Sequence, residues 1–354
     1  MWKEIRPDKY KDWLNQRDDR FYDYISIGDK KNKSGVTIFE NYSNGIVSSR
    51  DAWVYNYSKS KLTQNVSNMI DFYNSELERY KNSDDIKNQP KKLSDAEKYV
   101  AGFVNNDSSK IAWSRDYRYD ICKQDQKNLD SSKIVNSLYR PYSKSNCFLD
   151  GQIAMELYQL PKIFPENGIV NLTIGTAGYG AKSFSTLIGC AVQDAHLLES
   201  NAQCFPMYLY EPKAEASNGF DFSDDSDVVT ASSGKQYTRK EAITDAGLKH
   251  FTDFYNDKSI SKEDLFYYIY GLLHSEEYKT KYADNLTKAL PRIPFVKTIA
   301  DFRAFEQAGR KLADLHLNYE NKALYPVTFA KDISNLQADD FRVIKMKFAS
   351  KTDK

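Results

Sequence analysis

The stretch EDLFYYIYGLLHS, residues 263–275, decides how the second half of the chain is read. Phe266, Tyr267, Tyr268 and Tyr270 recur on one helix and read as core. Ser261 and Asp264 stand at the spacing of an N-terminal capping pair, so a helix is predicted to start here. Thr238 and Glu241 have the same spacing upstream and predict a helix running to about Tyr255. Downstream, LPRIPF introduces a further helix around Phe302 to Leu317, and FRVIKMKF at 341–348 allows a closing strand.

Toward the N-terminus the pattern changes. IVNLTIG at 169–175, FSTLIGCAV at 184–192 and FPMYLYE at 205–211 are short apolar runs punctuated by glycines 175, 178, 180 and 189, and read as strands. The whole of 110–210 is therefore expected to be β-rich, and 213–237, with Asp221, Asp224, Asp225 and Asp227 among Ser, Gly and Ala, is expected to be a mobile surface loop. Leu62, Val66, Met69, Ile70, Tyr73, Leu77 and Tyr80 recur every three or four residues and predict an amphipathic helix from Ser58 to about Lys81. Ser94 and Glu97 predict the start of a second one. FYDYISI at 21–27 and VTIF at 36–39 read as strands around a loop carrying Lys30, Lys31 and Lys33. The fold class expected is α+β: a β-rich part followed by a predominantly helical C-terminal half.

With 354 residues, 41% of them hydrophobic and 28% charged, the chain has the composition of a soluble globular protein of one large or two moderate domains. No apolar run is long enough to span a bilayer, and MWKEIRPDKY at the start has no signal-peptide pattern, so a cytoplasmic protein is expected. Cysteines 122, 147, 190 and 204 form no CxxC pair and are expected to be free thiols. The net charge of +1 announces no nucleic acid, but 26 tyrosines and 19 phenylalanines supply an unusual number of aromatic rings.

Catalytic motifs are missing. GTAGYGAKS, from Gly175 to Ser183, resembles a phosphate-binding loop, but Ala181 intervenes between Gly180 and Lys182, where that loop needs lysine directly after glycine. The loop reads either as a tight turn between strands, or as an approach to a phosphate backbone in which glycine amides come close and Lys182, Ser183 and Ser185 assist. His196, His250, His274 and His316 lie far apart in sequence with no metal-ligand spacing, so no metal site and no catalytic residue is expected. From Ser109 to Cys147 eight basic residues, Arg140 and Lys144 among them, face four acids and are interleaved with Trp113 and four tyrosines. That mixture suits phosphate and base contact, and equally an ordinary salt-bridged surface.

Longer strings carry a family resemblance. SNGIVSSRDAWVYNYSKSKL at 43–62 resembles the segment after the catalytic core of certain DNA adenine methyltransferases. YRPYSKSNCFLD at 139–150 resembles a YRPF-type motif of their recognition region, and FSTLIGCAVQDAHLLESNAQCFPMYLYE at 184–211 resembles the block that follows. KEDLFYYIYGLLHSEEYKTKYADNLTKALPRIPF at 262–295 and FRAFEQAGRKLADLHLNYE at 302–320 continue the match. Together they resemble the C-terminal target-recognition region of Type ISP single-chain restriction–modification enzymes.

The resemblance implies sequence-specific recognition of double-stranded DNA, with adenine methylation and ATP-dependent cleavage carried by other parts. NPPY, FxGxG and Walker A motifs are absent, so the chain reads as a fragment that is no enzyme on its own. S-adenosylmethionine, ATP and Mg are implied for the full enzyme and none for this part. The implied partners are DNA and the methyltransferase, coupler and motor domains, with no membrane. The implied organisation is a junction from a methyltransferase core at 1–57, a helical segment at 58–108, a β-rich recognition part at 109–237, a helical part at 238–320 and a shortened terminal strand region at 321–354. Arg50 matches the arginine of a TNRDAW-type string and reads either as a phosphate contact or as an ion pair with Asp51 or another acid. Arg140, before Pro141, reads either as a DNA contact or as a structural arginine, and Arg292 in LPRIPF as fold-stabilising. The alternatives to a recognition module are a docking module and an inactive methyltransferase fragment.

Overall fold

A computed structural model of the chain describes residues 5–31, 35–153, 156–199, 201–213, 227–326, 328 and 332–341. It divides into two compact units, 1–319 and 320–354. In the second unit the described backbone forms short 3-10 turns at Ile333–Asn335 and Ala338–Phe341. The strand expected for FRVIKMKF lies beyond Phe341, outside the described residues.

The larger unit mixes sheets and helices, so the fold is α+β as expected. Lys59–Lys81 is a single helix because its apolar residues repeat on one face and Ser58 accepts the Lys61 N–H at its start. Leu62, Val66, Met69, Tyr73, Leu77 and Tyr80 are all fully buried. Two four-stranded sheets form the β part. One runs Ser43–Asn44, Gln203–Pro206, Thr173–Thr176, Thr186–Gly189 in spatial order, and all its pairs are antiparallel. The other runs Tyr55–Asn56, Ser143–Phe148, Ile134–Arg140, Val192–Gln193, its last pair being parallel. All four residues of Thr173–Thr176 are buried, so the strand reads as a continuous small-and-apolar run rather than an alternating one.

The two C-terminal helices explain the EDLFYYIYGLLHS signal. Lys262–Leu273 opens with a reciprocal Ser261–Asp264 capping box, and Ile299–Leu317 with a Thr298–Asp301 box. Phe266, Tyr268 and Tyr270 are fully buried, and Tyr268 stacks on Phe302 at 4.4 Å. The helices meet backbone to backbone at two glycines: a Cβ on Gly309 would overlap the Tyr267 carbonyl oxygen, and one on Gly271 would overlap that of Phe305.

Several local signals were outcompeted. Thr238 and Glu241 do not cap a helix. They lie in the strand Gln236–Glu241, paired with Tyr208–Pro212 and Val228–Thr230, so the latter part of the expected 213–237 loop is a hairpin. The helix begins at Asp245 instead, where Thr244 accepts the Gly247 N–H at 2.9 Å and donates to the Thr37 carbonyl. Asp221, Asp224 and Asp225 lie outside the described residues. Ser94 falls inside the first turn of a helix Leu93–Phe103 whose N-cap is Lys92. Within the span expected to be β-rich, Arg115–Lys123 is a helix, capped by Ser114. Only Ile25–Ser26 of FYDYISI is a strand, paired with Arg292–Ile293, and VTIF contributes isolated bridges at Thr37 and Phe39. All four cysteines are free thiols, and Cys122, Cys147 and Cys204 are buried.

Candidate nucleic-acid interface

The glycine-rich loop follows the strand Thr173–Thr176 and closes where the Ala177 N–H donates to the Ser185 carbonyl at 2.9 Å. Its glycines serve different ends. Gly175 is buried, and a Cβ there would lie 2.7 Å from Oε1 of the buried Gln193, so its smallness is needed for packing. Gly180 adopts φ +81 and donates its N–H to the Thr287 carbonyl at 2.9 Å. An anion does meet amides of this loop, but not those of its glycines: the carboxylate of Glu199 accepts the N–H groups of Lys182 at 3.0 Å and Ser183 at 3.4 Å. The Lys182 and Ser183 side chains stay exposed and Ser185 is half-buried.

The YRPY segment forms the turn between Ile134–Arg140 and Ser143–Phe148. Arg140 is tied down: Nη1 donates to Asp194 at 2.8 Å, and the guanidinium stacks on Tyr139 at 3.9 Å. Burial pushes the Asp194 carboxyl above its usual range, an effect that Arg140 opposes. Pro141 is followed by Tyr142, half exposed and in the left-handed region at φ 56, held by the Tyr319 hydroxyl donating to its carbonyl at 3.0 Å. Lys144 lies 5.3 Å over the ring of Tyr319.

Arg50 points inward. It is 4% exposed, stacks 3.8 Å from the Tyr117 ring and donates to the Ile153 carbonyl, while Nε and Nη2 meet no partner among the described residues. Asp51 instead receives Ser48 and Tyr139. Burial lowers the Arg50 pKa from its ordinary value. At 4% exposure Arg50 is not placed for a phosphate contact, and among the described residues it forms no ion pair with Asp51 or another acid. Arg292 donates to the Tyr22 and Tyr24 carbonyls and so holds the N-terminal segment, the stabilising role its setting suggested.

Sequence distance also hid a histidine pair. The rings of His274 and His316 are 5.5 Å apart, and the Tyr270 hydroxyl lies 2.5 Å from His316 Nδ1. Burial, then the neighbouring His316, lowers the His274 pKa to about 4. Among the described residues no cluster of His, Cys, Asp or Glu could hold a metal ion, and no helix is long and apolar enough to cross a membrane.

The feature that sequence reading missed is a groove of about 760 Å³ beside the glycine-rich loop. Lys30, Lys31, Lys288 and Arg292 line it together with one carboxylate, Asp29, and Lys288 is itself paired with Asp12 at 2.9 Å. Tyr158 and Tyr179 contribute rings that are 43% and 54% exposed, while Tyr42 forms part of the wall. Tyr42 stacks on Phe205 at 5.0 Å and is covered on its outer side by the Lys30 ammonium at 4.2 Å from the ring centre. Burial, then the nearby Tyr179 phenol, pushes Tyr42 up to about 12. Desolvation lowers the Lys30 pKa, and Lys30 forms no ion pair among the described residues. Asn44 and Gln203 sit opposite each other in register, with Gln203 Nε2 donating to Asn44 Oδ1 at 2.6 Å. Asn44 Nδ2 and Gln203 Oε1 are left without a hydrogen bond among the described residues. The only advance signals were the lysines of the 28–35 loop and the tyrosine excess.

Cations, exposed rings and unused amide groups in one groove are the chemistry of a nucleic-acid-binding module. The chain belongs to the family described as the Type ISP C-terminal specificity domain, whose model matches residues 37–354. Among solved structures it is similar to a nuclease-deletion mutant of the Type ISP restriction-modification enzyme LlaGI in complex with a DNA substrate mimic, with a TM-score of 0.72 and 32% identity over 92% of this chain and 26% of that one. It is likewise similar to DrdV in a DNA complex, at 0.72 and 31% over 92% of this chain and 29% of that one. The ATP-dependent Type ISP restriction-modification enzyme LlaBIII bound to DNA matches at 0.72 and 28%, over 92% of this chain and 19% of that one. The chain thus spans less than a third of each of these enzymes. No curated protein matches it.

Proposed function

We propose that this chain reads a double-stranded DNA target for a Type ISP restriction–modification enzyme. Adenine methylation and ATP-dependent cleavage, with S-adenosylmethionine, ATP and Mg, then belong to domains outside this sequence. The observation that carries the reading is the groove itself, in which Lys30 and Lys31 lie beside exposed tyrosines and an amide pair, while Lys288, paired with Asp12, and Arg292, bonded to the Tyr22 and Tyr24 carbonyls, complete the lining. Phosphate contacts fix the register of a duplex and amide side chains suit base edges. In this reading Lys182, Ser183, Lys144 and the rim lysine Lys31 meet phosphates, Ser185 supports the loop, and Arg140 and Arg50 hold the surface from behind. The groove takes Lys30 and Lys31 from residues 1–57, Tyr158 and Tyr179 from the β-rich part at 109–237, and Lys288 and Arg292 from the helical part at 238–320.

Binding of a randomised pool of short duplexes, measured by gel shift at two salt concentrations and followed by sequencing of the bound fraction, tests this. A salt-sensitive complex enriched in one short motif is expected. No binding at low salt would end the reading.

Trp13 and Leu14, 62% and 71% exposed, favour a second role for the N-terminal segment. It would dock on the methyltransferase, coupler or motor of the parent enzyme. Replacing both with serine should then weaken assembly with those domains and leave DNA affinity intact.

A further inference from the structure

The groove is concave and of a size that encloses a small ligand, whereas a duplex presents its bases already stacked on both faces. A ring exposed inside such a groove can engage a base only when that base has left its stack. We propose that the groove beside the glycine-rich loop binds a single nucleotide outside a base stack, its phosphate on Lys30 and Lys31 and its base against Tyr158 and Tyr179. The inference rests in part on the DNA reading above, since an extruded residue of the target is one source of such a nucleotide. A free mononucleotide is the other.

Three observations converge on this. Lys30 is held over Tyr42 at 4.2 Å with no carboxylate paired to it among the described residues, so a phosphate would supply the missing counter-charge. Two of the lining residues, Tyr158 at φ 49 and Asn201 at φ 42, hold left-handed backbone, which is uncommon for residues with side chains and concentrates at ligand sites. Asn44 Nδ2 and Gln203 Oε1 offer one donor and one acceptor on the same wall, the pair of functions that a base edge presents in complement.

The test uses the whole chain and three probes: a matched duplex, the same duplex with one unpaired base, and a nucleoside 5′-monophosphate, all followed by fluorescence anisotropy or its competition. The duplex with the unpaired base should bind about tenfold tighter than the matched one, the scale of one base–aromatic stack. Tyr179→Ala and Lys30→Ala should bring that ratio close to one, and Tyr179→Phe, which keeps the ring, should preserve it. Both positions are exposed, so an unchanged circular dichroism spectrum and unfolding midpoint are expected. Competition by the monophosphate, lost in both alanine variants, would identify free nucleotide as an occupant. Equal affinity for the two duplexes with no monophosphate binding overturns the groove proposal and leaves duplex recognition standing. If no duplex binds, the DNA reading has failed, and the monophosphate alone decides: binding lost in the variants supports the groove, no binding overturns it.

Discussion

The carboxylate of Glu199 accepts the backbone N–H of Lys182 at 3.0 Å. An internal acid therefore occupies the amides that a glycine-rich loop would otherwise turn toward a phosphate, and the loop is held in shape by its own protein. What remains for a ligand are the exposed Lys182 and Ser183 side chains, and the charge among them is a flexible point charge rather than a cradle.

Lys182→Ala should accordingly weaken duplex binding alike for all sequences and lower the salt dependence by about one counterion. Titrations of matched and scrambled duplexes across a salt series measure this. A loss restricted to one sequence would make Lys182 a base reader.

Arg50→Ala should behave in the opposite way. Removing the guanidinium from above Tyr117 strips a packed, 4% exposed side chain and takes one of two donors from the Ile153 carbonyl, leaving the Tyr117 hydroxyl at 3.2 Å. A loss of about 2–4 kcal/mol in urea unfolding is expected, with the salt slope of DNA binding unchanged. A lowered slope with intact stability would return Arg50 to the phosphate contacts.

Gly309→Ala should destabilise the pair of C-terminal helices, because its Cβ would overlap the Tyr267 carbonyl oxygen and no side-chain rotation relieves a backbone clash. The expected loss is about 1–3 kcal/mol, the range for overpacking, read from the urea midpoint. Gly102→Ala, inside another helix where a Cβ meets nothing within 4 Å, is the matched control and should be neutral or slightly stabilising.

Asp264 gives the fold an acid-sensitive joint. Its burial would raise its pKa, but the Ser261 N–H, then Arg303 and Arg310, outweigh that and lower it from 3.8 to about 2. A depressed carboxylate contributes stability that is complete above its unfolded pKa and is lost as pH falls through the folded one. Asp264→Asn should therefore cost about 1–2 kcal/mol at neutral pH, after allowance for partial solvent screening. The difference from the parent should shrink between about pH 4 and pH 2. A gap that stays constant across that window would remove the carboxylate's charge from the account.

Helices whose partners lie three or four residues away were legible in advance. Leu62 to Tyr80 repeats on one face, and the Ser261–Asp264 box forms as its spacing implies. Thr238 and Glu241 had an equally good local signal and lost it to pairing with Tyr208–Pro212, because a strand partner about thirty residues away leaves no mark in a four-residue motif. The same blindness applied to Arg50, whose neighbours suggested Asp51 while folding delivered Tyr117.

Periodicity, missing catalytic motifs and several long strings were enough to place this chain in its family and fold class, since those properties reside in short runs of residues. The groove was a product of tertiary structure alone. Lys30, Tyr42, Tyr158, Tyr179, Gln203 and Lys288 come from segments spread across more than two hundred residues, and they reach one wall through long-range contacts such as the pairing of Ser43–Asn44 with Gln203–Pro206, that of Ile25–Ser26 with Arg292–Ile293, and the Gly180–Thr287 hydrogen bond. A cation and a ring far apart in a chain carry no information about each other until the backbone between them has closed, so composition could supply the lysines and the tyrosine excess but not their meeting in one groove.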